Sequence, residues 1–211
     1  MDLLIKISDS LLEYDPDETV QFVEEALNNE IEAKTILSDG LIKGMDRVGE
    51  LFKNNEIFVP EVTMAAECLQ GAVDILKPYL SAEDLDNGFK IVIGTVEGDI
   101  HDIGKNLIIV MMEGAGFNVI DLGCNVKAEA FIQAAKENNA DIIACSALLT
   151  TTMAVMPEVA RLAKVEDFDK DVKLIFGGAP VYEKWALENG ADGYSDDAAS
   201  AVMLVKKLLN L

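Results

Sequence analysis

Apolar residues in the first 88 positions recur at intervals of three or four, the spacing that gathers them on one face of a helix. One such stripe runs through Leu37, Leu41, Met45, Val48 and Phe52. Prolines near the expected ends of the stripes support the pattern, because proline is tolerated in the first turn of a helix and interrupts its interior. The pattern predicts a four-helix bundle with helices at 2–13, 17–28, 32–54 and 60–80.

From residue 89 onward, short apolar runs alternate with stretches of helical spacing. The runs predict five strands, at 91–95, 118–122, 141–146, 173–176 and 193–195. The other stretches predict helices at 104–115, 127–138, 152–164, 181–189 and 197–210. Strands that are each followed by a helix form a parallel sheet with helices on both faces. We therefore expect a Rossmann-like or flavodoxin-like five-stranded α/β domain.

The segment 81–88 is polar, has no periodicity and lies between the two patterns. Such a composition is typical of a linker. The sequence therefore predicts a multi-domain α and α/β protein, with a helical bundle domain at 1–88 and a Rossmann-like domain at 89–211.

The composition narrows the classes of partner. Of the 211 residues, 50% are hydrophobic and 26% are charged, and the formal net charge is −21. So acidic a surface repels phosphate backbones and anionic lipids, which argues against nucleic-acid and membrane partners. The three cysteines are far apart and form neither a zinc motif nor a disulfide framework. Since no secretory signal or membrane-spanning run is evident either, we expect a soluble cytoplasmic protein.

Unusual residues follow four of the five predicted strands, and the first of these loops contains His101, the only histidine of the chain. Ligands of an open parallel sheet bind beyond the carboxyl ends of its strands, so we expect the four loops to converge on one edge. An imidazole close to a carboxylate such as Asp99 is oriented and fixed in one tautomer. A histidine of this kind serves as a general base, a metal ligand or a buried structural group.

The spacing of the loop residues excludes several common sites. Gly94, Gly98 and Gly104 do not fit a dinucleotide fingerprint or a P-loop, and no GxSxG motif for a hydrolase nucleophile occurs. One histidine with scattered acids does not make a protein-only zinc site. These exclusions favour a histidine that is offered to a metal already held by an organic ring.

Three short motifs at matched spacing resemble the cobalamin-binding signature DxHxxG…SxL…GG. Asp99-x-His101-x-x-Gly104 is followed after 41 residues by Ser146-x-Leu148, and after a further 28 by Gly177-Gly178. The helical first half is similar to the cap module that precedes this domain in methionine synthase and in small corrinoid proteins, most clearly at 40–52 and 58–62. Together the two resemblances cover almost the whole chain.

The resemblance implies a role for each residue of the histidine loop. His101 would be the lower axial ligand of cobalt, in place of the cofactor's own base. Asp99 would hydrogen-bond the far nitrogen of His101, and a hydroxyl of the following loop would extend this relay. Thr152 is the first choice for that hydroxyl, in competition with Thr150 and Thr151.

The resemblance also implies further cofactor contacts. The displaced nucleotide tail of the cofactor would lie in a slot beside the sheet, where small residues are needed. The contacts implied around the motifs and the tail are Gly94, Gly98, Asp102, Ile103, Gly104, Ser146, Leu148, Thr150, Gly177, Gly178, Tyr194 and Ala198. In the helical half, we expect Phe58, Val59 and Met64 to cover the upper face of the corrin.

The function implied is that of a methyl carrier, a non-catalytic or co-catalytic subunit whose cobalamin or related corrinoid is methylated in one state. A substrate-specific methyltransferase would load the methyl group from methanol, a methylamine, a betaine or an aryl methyl ether. A second methyltransferase would pass it to coenzyme M or tetrahydrofolate, and a reductive activase would be a further partner. A cobalamin-sensing regulatory module and the cobalamin-binding subunit of a mutase are the alternatives.

Overall fold

The computed structural model describes residues 3–80 and 88–211. The predicted linker at 81–88 lies, apart from Gly88, outside the described residues. Two compact units make up the chain. The helical unit comprises Met1–Gly88 with Val110–Gly116, and the sheet unit comprises Phe89–Ile109 with Phe117–Leu211. Val110–Gly116 therefore belongs to the helical unit, although it lies within the predicted second domain.

The helical unit contains the four helices that the apolar stripes predict. Its elements are α1 (Leu3–Glu13), α2 (Pro16–Asn28), α3 (Ala33–Thr35), a π-helical segment (Ile36–Ile42), α4 (Lys43–Lys53), α5 (Val59–Leu76) and a 3₁₀ turn (Lys77–Tyr79). The third predicted helix is thus continuous over 33–53, with a π-helical middle. Helix α2 begins as its sequence predicts, because the Asp15 carboxylate accepts the N–H of Glu18 at 3.0 Å. Helix α5 ends at Leu76, before the predicted end at residue 80, because Pro78 cannot donate the N–H that a continuing helix needs.

Close packing of α1 and α4 depends on one glycine. A Cβ atom at Gly44 would lie 2.5 Å from the Leu11 side chain and 3.2 Å from the Ser8 backbone. Both Leu11 and the neighbouring Ile7 are fully buried. The absence of a side chain at Gly44 therefore lets the two helices approach each other.

The sheet unit has five parallel strands, as predicted. The strands are β1 (Lys90–Thr95), β2 (Asn118–Asp121), β3 (Ile142–Ser146), β4 (Lys173–Gly177) and β5 (Gly193–Ser195). The helices after β1 are α6 (Ile103–Gly114), whose residues from Val110 onward belong to the helical unit, α7 (Ala128–Asn138), α8 (Val155–Val165), α9 (Glu183–Glu188) and α10 (Ala198–Leu208). The spatial order is β2-β1-β3-β4-β5, and every neighbouring pair is parallel. Of the two predicted arrangements, this is the flavodoxin-like order.

The start of α8 is the clearest error in the predicted elements. The sequence predicts a helix from residue 152, whereas α8 begins at Val155. The hydroxyl of Thr152 is engaged in long-range and local hydrogen bonds, and Val155 N–H donates to Thr152 O in a tight turn. A tertiary contact therefore replaces the first turn that local periodicity predicts.

The strand order determines where a ligand can bind. Strands β1 and β3 are neighbours, and the chain leaves them toward opposite sides of the sheet. In open parallel sheets the carboxyl edge at such a reversal of strand order is the usual ligand position. Among the described helices, none is long and apolar enough to cross a membrane.

Candidate functional site

His101 and Asp99 form a close pair in the loop after β1. His101 Nδ1 lies 2.6 Å from Asp99 Oδ1, and the backbone N–H of His101 donates to the same oxygen at 3.1 Å. A carboxylate only accepts, so Nδ1 carries the proton, and in the neutral ring Nε2 has the free lone pair. The imidazole is 47% exposed, and no residue that the structure describes hydrogen-bonds Nε2. This nitrogen is therefore available to a metal.

The second carboxylate oxygen of Asp99 binds the loop after β3. Asp99 Oδ2 accepts the N–H groups of Leu148 at 2.8 Å and Leu149 at 3.2 Å, and the hydroxyl of Thr152 at 2.9 Å. Burial of this fully enclosed carboxyl would raise its pKa, but these donors and His101 outweigh burial and hold the pKa of Asp99 well below its usual range. Asp99 is therefore an anion that joins two loops.

Among the three candidate threonines, the geometry distinguishes one. Thr152 is buried and its hydroxyl contacts Asp99, whereas Thr150 and Thr151 are exposed. The same Thr152 hydroxyl is also 2.9 Å from the carbonyl of Leu149. The order of Asp99, His101 and Thr152 in space is thus the order that the resemblance implies.

Two residues that the sequence reading missed also hold the histidine loop. Thr95, at the end of β1, is buried and donates its hydroxyl to the carbonyl of His101 at 2.9 Å. Asn125 accepts the N–H of Gly98 on its side-chain oxygen at 2.8 Å and donates its own N–H to the Asp99 carbonyl at 2.9 Å. Thr95 looks like any strand residue in the sequence, and Asn125 lies far along the chain, so neither has a local signal.

The motif glycines have different structural reasons. Gly178 has φ +115°, and a Cβ there would lie 1.9 Å from the carbonyl oxygen of Ala147, so only glycine fits. At Gly94 a Cβ would lie 3.0 Å from the ring of Phe131, which points to packing of α7 on the sheet. A Cβ at Gly104 would meet nothing within 4 Å, which leaves open space beside the first turn of α6. The cofactor contacts predicted for these glycines stay predictions.

A row of small residues crosses the carboxyl edge of the sheet. Thr95, Ser146, Gly177 and Ser195 are register partners on four adjacent strands. Ser146 and Gly177 of this row were predicted to line a slot for the nucleotide tail, and that role stays a prediction. Of the other predicted contacts, Tyr194 is half-buried in β5, Ala198 is buried at the start of α10, and Asp102 is exposed before α6.

Large apolar side chains are exposed around the histidine. Ile100 and Ile103 flank His101 in its loop, and Leu148 and Leu149 belong to the loop bound by Asp99. Ile103 and Leu148 were predicted contacts, whereas Ile100 and Leu149 were not. Exposed apolar groups beside one free imidazole nitrogen suit a large, partly apolar ligand that brings its own metal.

The donor set agrees with such a ligand. Within 3–80 and 88–211, no group of three or more His, Cys, Asp or Glu side chains is placed to hold a metal ion. A single imidazole with an oriented tautomer fits a cobalt whose equatorial ligands come from a corrin ring. The residues present therefore fit cobalamin.

The three residues predicted to cover the corrin lie on the helical unit. Phe58 precedes α5, and its N–H donates to the Glu61 carboxylate at 3.0 Å. Val59 and Met64 belong to α5 itself, and all three side chains are exposed on that unit. Their covering role stays a prediction.

Comparison with known proteins identifies the family. Two models of B12-binding domains match the chain, one over residues 89–203 and the other over residues 3–77. A corrinoid protein of Desulfitobacterium hafniense strain Y51 is 40% identical over 212 residues, which is 99% of this chain and 98% of that protein. The chain belongs to the B12-binding corrinoid proteins. The comparisons confirm the prediction that the chain is a corrinoid protein of a methyltransferase system with B12-binding domains.

A further relative and two solved structures are also similar to the chain. Dimethylamine corrinoid protein 2 of Methanosarcina acetivorans is 40% identical over 209 residues, 99% of this chain and 96% of that protein. A crystal structure of a cobalamin-binding protein from D. hafniense DCB-2 matches with a TM-score of 0.82 and 34% identity, over 98% of both chains. The methanol:cobalamin methyltransferase complex MtaBC of Methanosarcina barkeri matches with a TM-score of 0.86 and 27% identity, over 99% of this chain and 80% of that chain.

Proposed function

We propose that this corrinoid protein carries a methyl group on cobalt from a methylamine-specific methyltransferase to a second methyltransferase. One observation carries the proposal: the exposed Nε2 of His101 is free, while Nδ1 is held 2.6 Å from the buried Asp99 carboxylate. Bound cobalamin would supply a cobalt centre that accepts and releases the methyl group. The role of the chain is to bind, orient and tune that centre.

The three relay residues have separate tasks in this proposal. Asp99 fixes the Nδ1–H tautomer of His101, so that Nε2 points outward as a donor atom. A carboxylate that accepts the Nδ1 proton also makes the imidazole a stronger electron donor. Thr152 donates to the other oxygen of Asp99 at 2.9 Å. The imidazole, carboxylate and hydroxyl can thus hold or move one proton as the ligand strength of His101 changes.

We propose a methylamine as the methyl donor because several similar proteins are dimethylamine or trimethylamine corrinoid proteins. Dimethylamine corrinoid protein 2 is 40% identical, and trimethylamine corrinoid protein 1 of M. acetivorans is 36% identical over 210 residues. The structural relative named for methanol is only 27% identical. Coenzyme M or tetrahydrofolate is the proposed acceptor of the second methyltransferase, and a reductive activase is a further proposed partner.

A methylation assay tests the carrier function and the donor together. The protein is loaded with cobalamin, reduced, and mixed in turn with methyltransferases specific for monomethylamine, dimethylamine, trimethylamine and methanol, each with its donor. We expect the visible spectrum of methylcobalamin with one of the methylamine enzymes. Methylation by the methanol enzyme alone would overturn the donor class. No methylation by any of them would overturn the methylamine donor and favour a betaine or an aryl methyl ether as donor, the regulatory module or the mutase subunit.

The acceptor is tested from the methylated protein. It is mixed with a coenzyme M methyltransferase and, separately, with a tetrahydrofolate methyltransferase, and loss of the methylcobalamin spectrum is followed. We expect loss with one of the two. Stability of the spectrum with both would contradict both proposed acceptors.

Ligation by His101 has its own test. The protein is grown with nitrogen-15 histidine, loaded, and reduced to the Co(II) state for electron paramagnetic resonance. Because the chain has one histidine, any histidine hyperfine coupling belongs to His101. We expect the label to change the splitting, and an unchanged splitting would exclude the bond.

A further inference from the structure

Lys105 is a buried cation in the first turn of α6, four residues after His101. Its side chain is only 1% exposed. A positive charge at the start of a helix opposes the helix dipole, so helix stability does not explain it. The ammonium lies 2.7 and 2.8 Å from the two carboxylate oxygens of Asp121 and 2.7 Å from the side-chain oxygen of Asn106. These three acceptors match its three N–H groups.

Asp121 connects this cation to the carbonyl of His101. The Oδ1 atom of Asp121 also accepts the N–H of Gly123 at 2.8 Å. The carbonyl of Gly123 in turn accepts the N–H of Thr95 at 2.9 Å, and the Thr95 hydroxyl donates to the His101 carbonyl at 2.9 Å. A path of hydrogen bonds therefore runs from Lys105 through the end of β2 and the end of β1 to the histidine loop.

The path closes through the first turn of α6. The N–H of Asn106, next to Lys105, donates to the carbonyl of Asp102 at 2.7 Å, and Asp102 directly follows His101. The backbone of His101 is thus held on both sides by a ring of contacts in which the Lys105–Asp121 ion pair is the only charged link. Asp99 lies outside this ring and holds the imidazole and the His101 N–H.

We propose that Lys105 and Asp121 are positioning residues that fix the backbone of His101, while Asp99 fixes its imidazole. The proposal rests on the proposed function, because only a metal-binding role requires Nε2 to keep one direction. An imidazole aimed at a metal needs both its ring and its backbone held within a fraction of an ångström. A burial this complete for a lysine is consistent with that need, since a flexible exposed cation could not restrain the loop.

The opposite edge of the same sheet offers a matched control. Lys170 Nζ lies 2.6 Å from Asp141 Oδ1, and Asp141 Oδ2 accepts the N–H of Lys90 at 2.8 Å. This pair therefore has the same chemistry as Lys105–Asp121: a lysine, a carboxylate and a backbone N–H. It lies at the amino ends of the strands, away from His101.

The decisive experiment compares Lys105→Met with Lys170→Met. Long-range proton–nitrogen NMR of the cofactor-free protein reports on the single imidazole, and a titration followed in the visible spectrum gives the dissociation constant for cobalamin. For Lys105→Met we expect displaced or broadened His101 signals and cobalamin binding weaker by about 10-fold, the lower end of the range for losing a direct partner of a metal ligand, because Lys105 acts on His101 through intervening groups. Lys170→Met is expected to leave both unchanged. Native imidazole signals and native affinity in Lys105→Met would overturn the proposal, as would equal changes in the two variants.

A second variant protects the test against misfolding. Asp121→Asn keeps the shape and the oxygen that accepts from Gly123 but removes the charge, and the 41% exposure of Asp121 makes the change tolerable. We expect the same direction of change as in Lys105→Met, with a smaller size. Unchanged imidazole signals in Asp121→Asn would contradict the proposal even if Lys105→Met did not fold. Should the wild-type protein fail to bind cobalamin, the proposed function fails, while the imidazole signals still decide the positioning role.

Discussion

The two edges of the parallel sheet each contain a buried aspartate that joins separate parts of the chain. Asp99, at the carboxyl edge, accepts from His101, two backbone N–H groups and Thr152. Asp141, at the amino edge, accepts from the backbone of Lys90 and pairs with Lys170. Both carboxylates have the donors that burial requires.

The two aspartates differ in the side chain that each one binds. The ammonium of Lys170 has only N–H donors and no lone pair for a metal, so the Asp141 cluster has a structural role alone. The imidazole of His101 binds Asp99 through one nitrogen and leaves the other exposed. The same local physics therefore produces a complete structural contact at one edge and an imidazole with one free nitrogen at the other.

The largest effect is expected when the carboxylates themselves are neutralised. Asp99→Asn places an amide N–H₂ group among donors and removes the charge they stabilise, so we expect the free energy of unfolding to fall by about 3 kcal/mol. Asp141→Asn should cost only about 1 kcal/mol, because Lys170 is partly exposed and can be hydrated. Urea unfolding of both variants measures the difference, and equal losses would remove the contrast between the edges.

Removing the imidazole should abolish the property that distinguishes the carboxyl edge. His101→Ala is expected to weaken cobalamin binding by about 100-fold, the upper end of the range for disturbing a metal ligand's surroundings, and to change the visible spectrum of the loaded protein. The Asp141→Asn variant is expected to remain folded, and it should therefore bind cobalamin with native affinity. A native spectrum in His101→Ala would show that this residue is not a ligand.

The hydroxyl at the far end of the relay should have a smaller effect. Thr152→Val removes the hydrogen bond to Asp99 at nearly constant volume, and we expect a loss of about 1 kcal/mol in the free energy of unfolding. Thr152→Ser keeps the hydroxyl and should stay close to wild type. Thr150→Val is the control, since that side chain is exposed. If Thr150→Val lowered the free energy of unfolding more than Thr152→Val does, the assignment of this hydrogen bond to Thr152 would be wrong.

Above about pH 4 the effect of pH is expected to be the smallest, because Asp99 stays ionised there in both the folded and the unfolded protein. The donors around Asp99 lower its folded pKa below its unfolded value of about 3.9, so its stabilising contribution is complete above that pH and is lost as the pH falls through the folded pKa. We therefore expect the stability of the wild type to decrease more steeply below about pH 4 than that of Asp99→Asn. Parallel acid-unfolding curves for the two proteins would contradict this assignment.

Local patterns predict much of the fold but not its exceptions. The four helical stripes and five apolar runs correspond to observed elements because burial imposes a period of 3.6 or 2 on each element alone. The predicted start of α8 was wrong because the turn around Thr152 depends on Asp99, which lies 53 residues earlier in the chain. Thr95 and Asn125 were missed for the same reason, since their hydrogen bonds to the histidine loop exist only after the strands have aligned.

The sequence by itself determined the two classes of structure, the carboxyl-edge position of the unusual loops and, through the spacing of three short motifs, the family. Only the tertiary structure decided the flavodoxin-like strand order, the choice of Thr152 among three threonines, and the ion pair of Lys105 with Asp121. The physical reason is range. Periodicity and motif spacing are properties of neighbouring residues, whereas a buried charge finds its donors across strands that are distant in the chain and adjacent in the sheet.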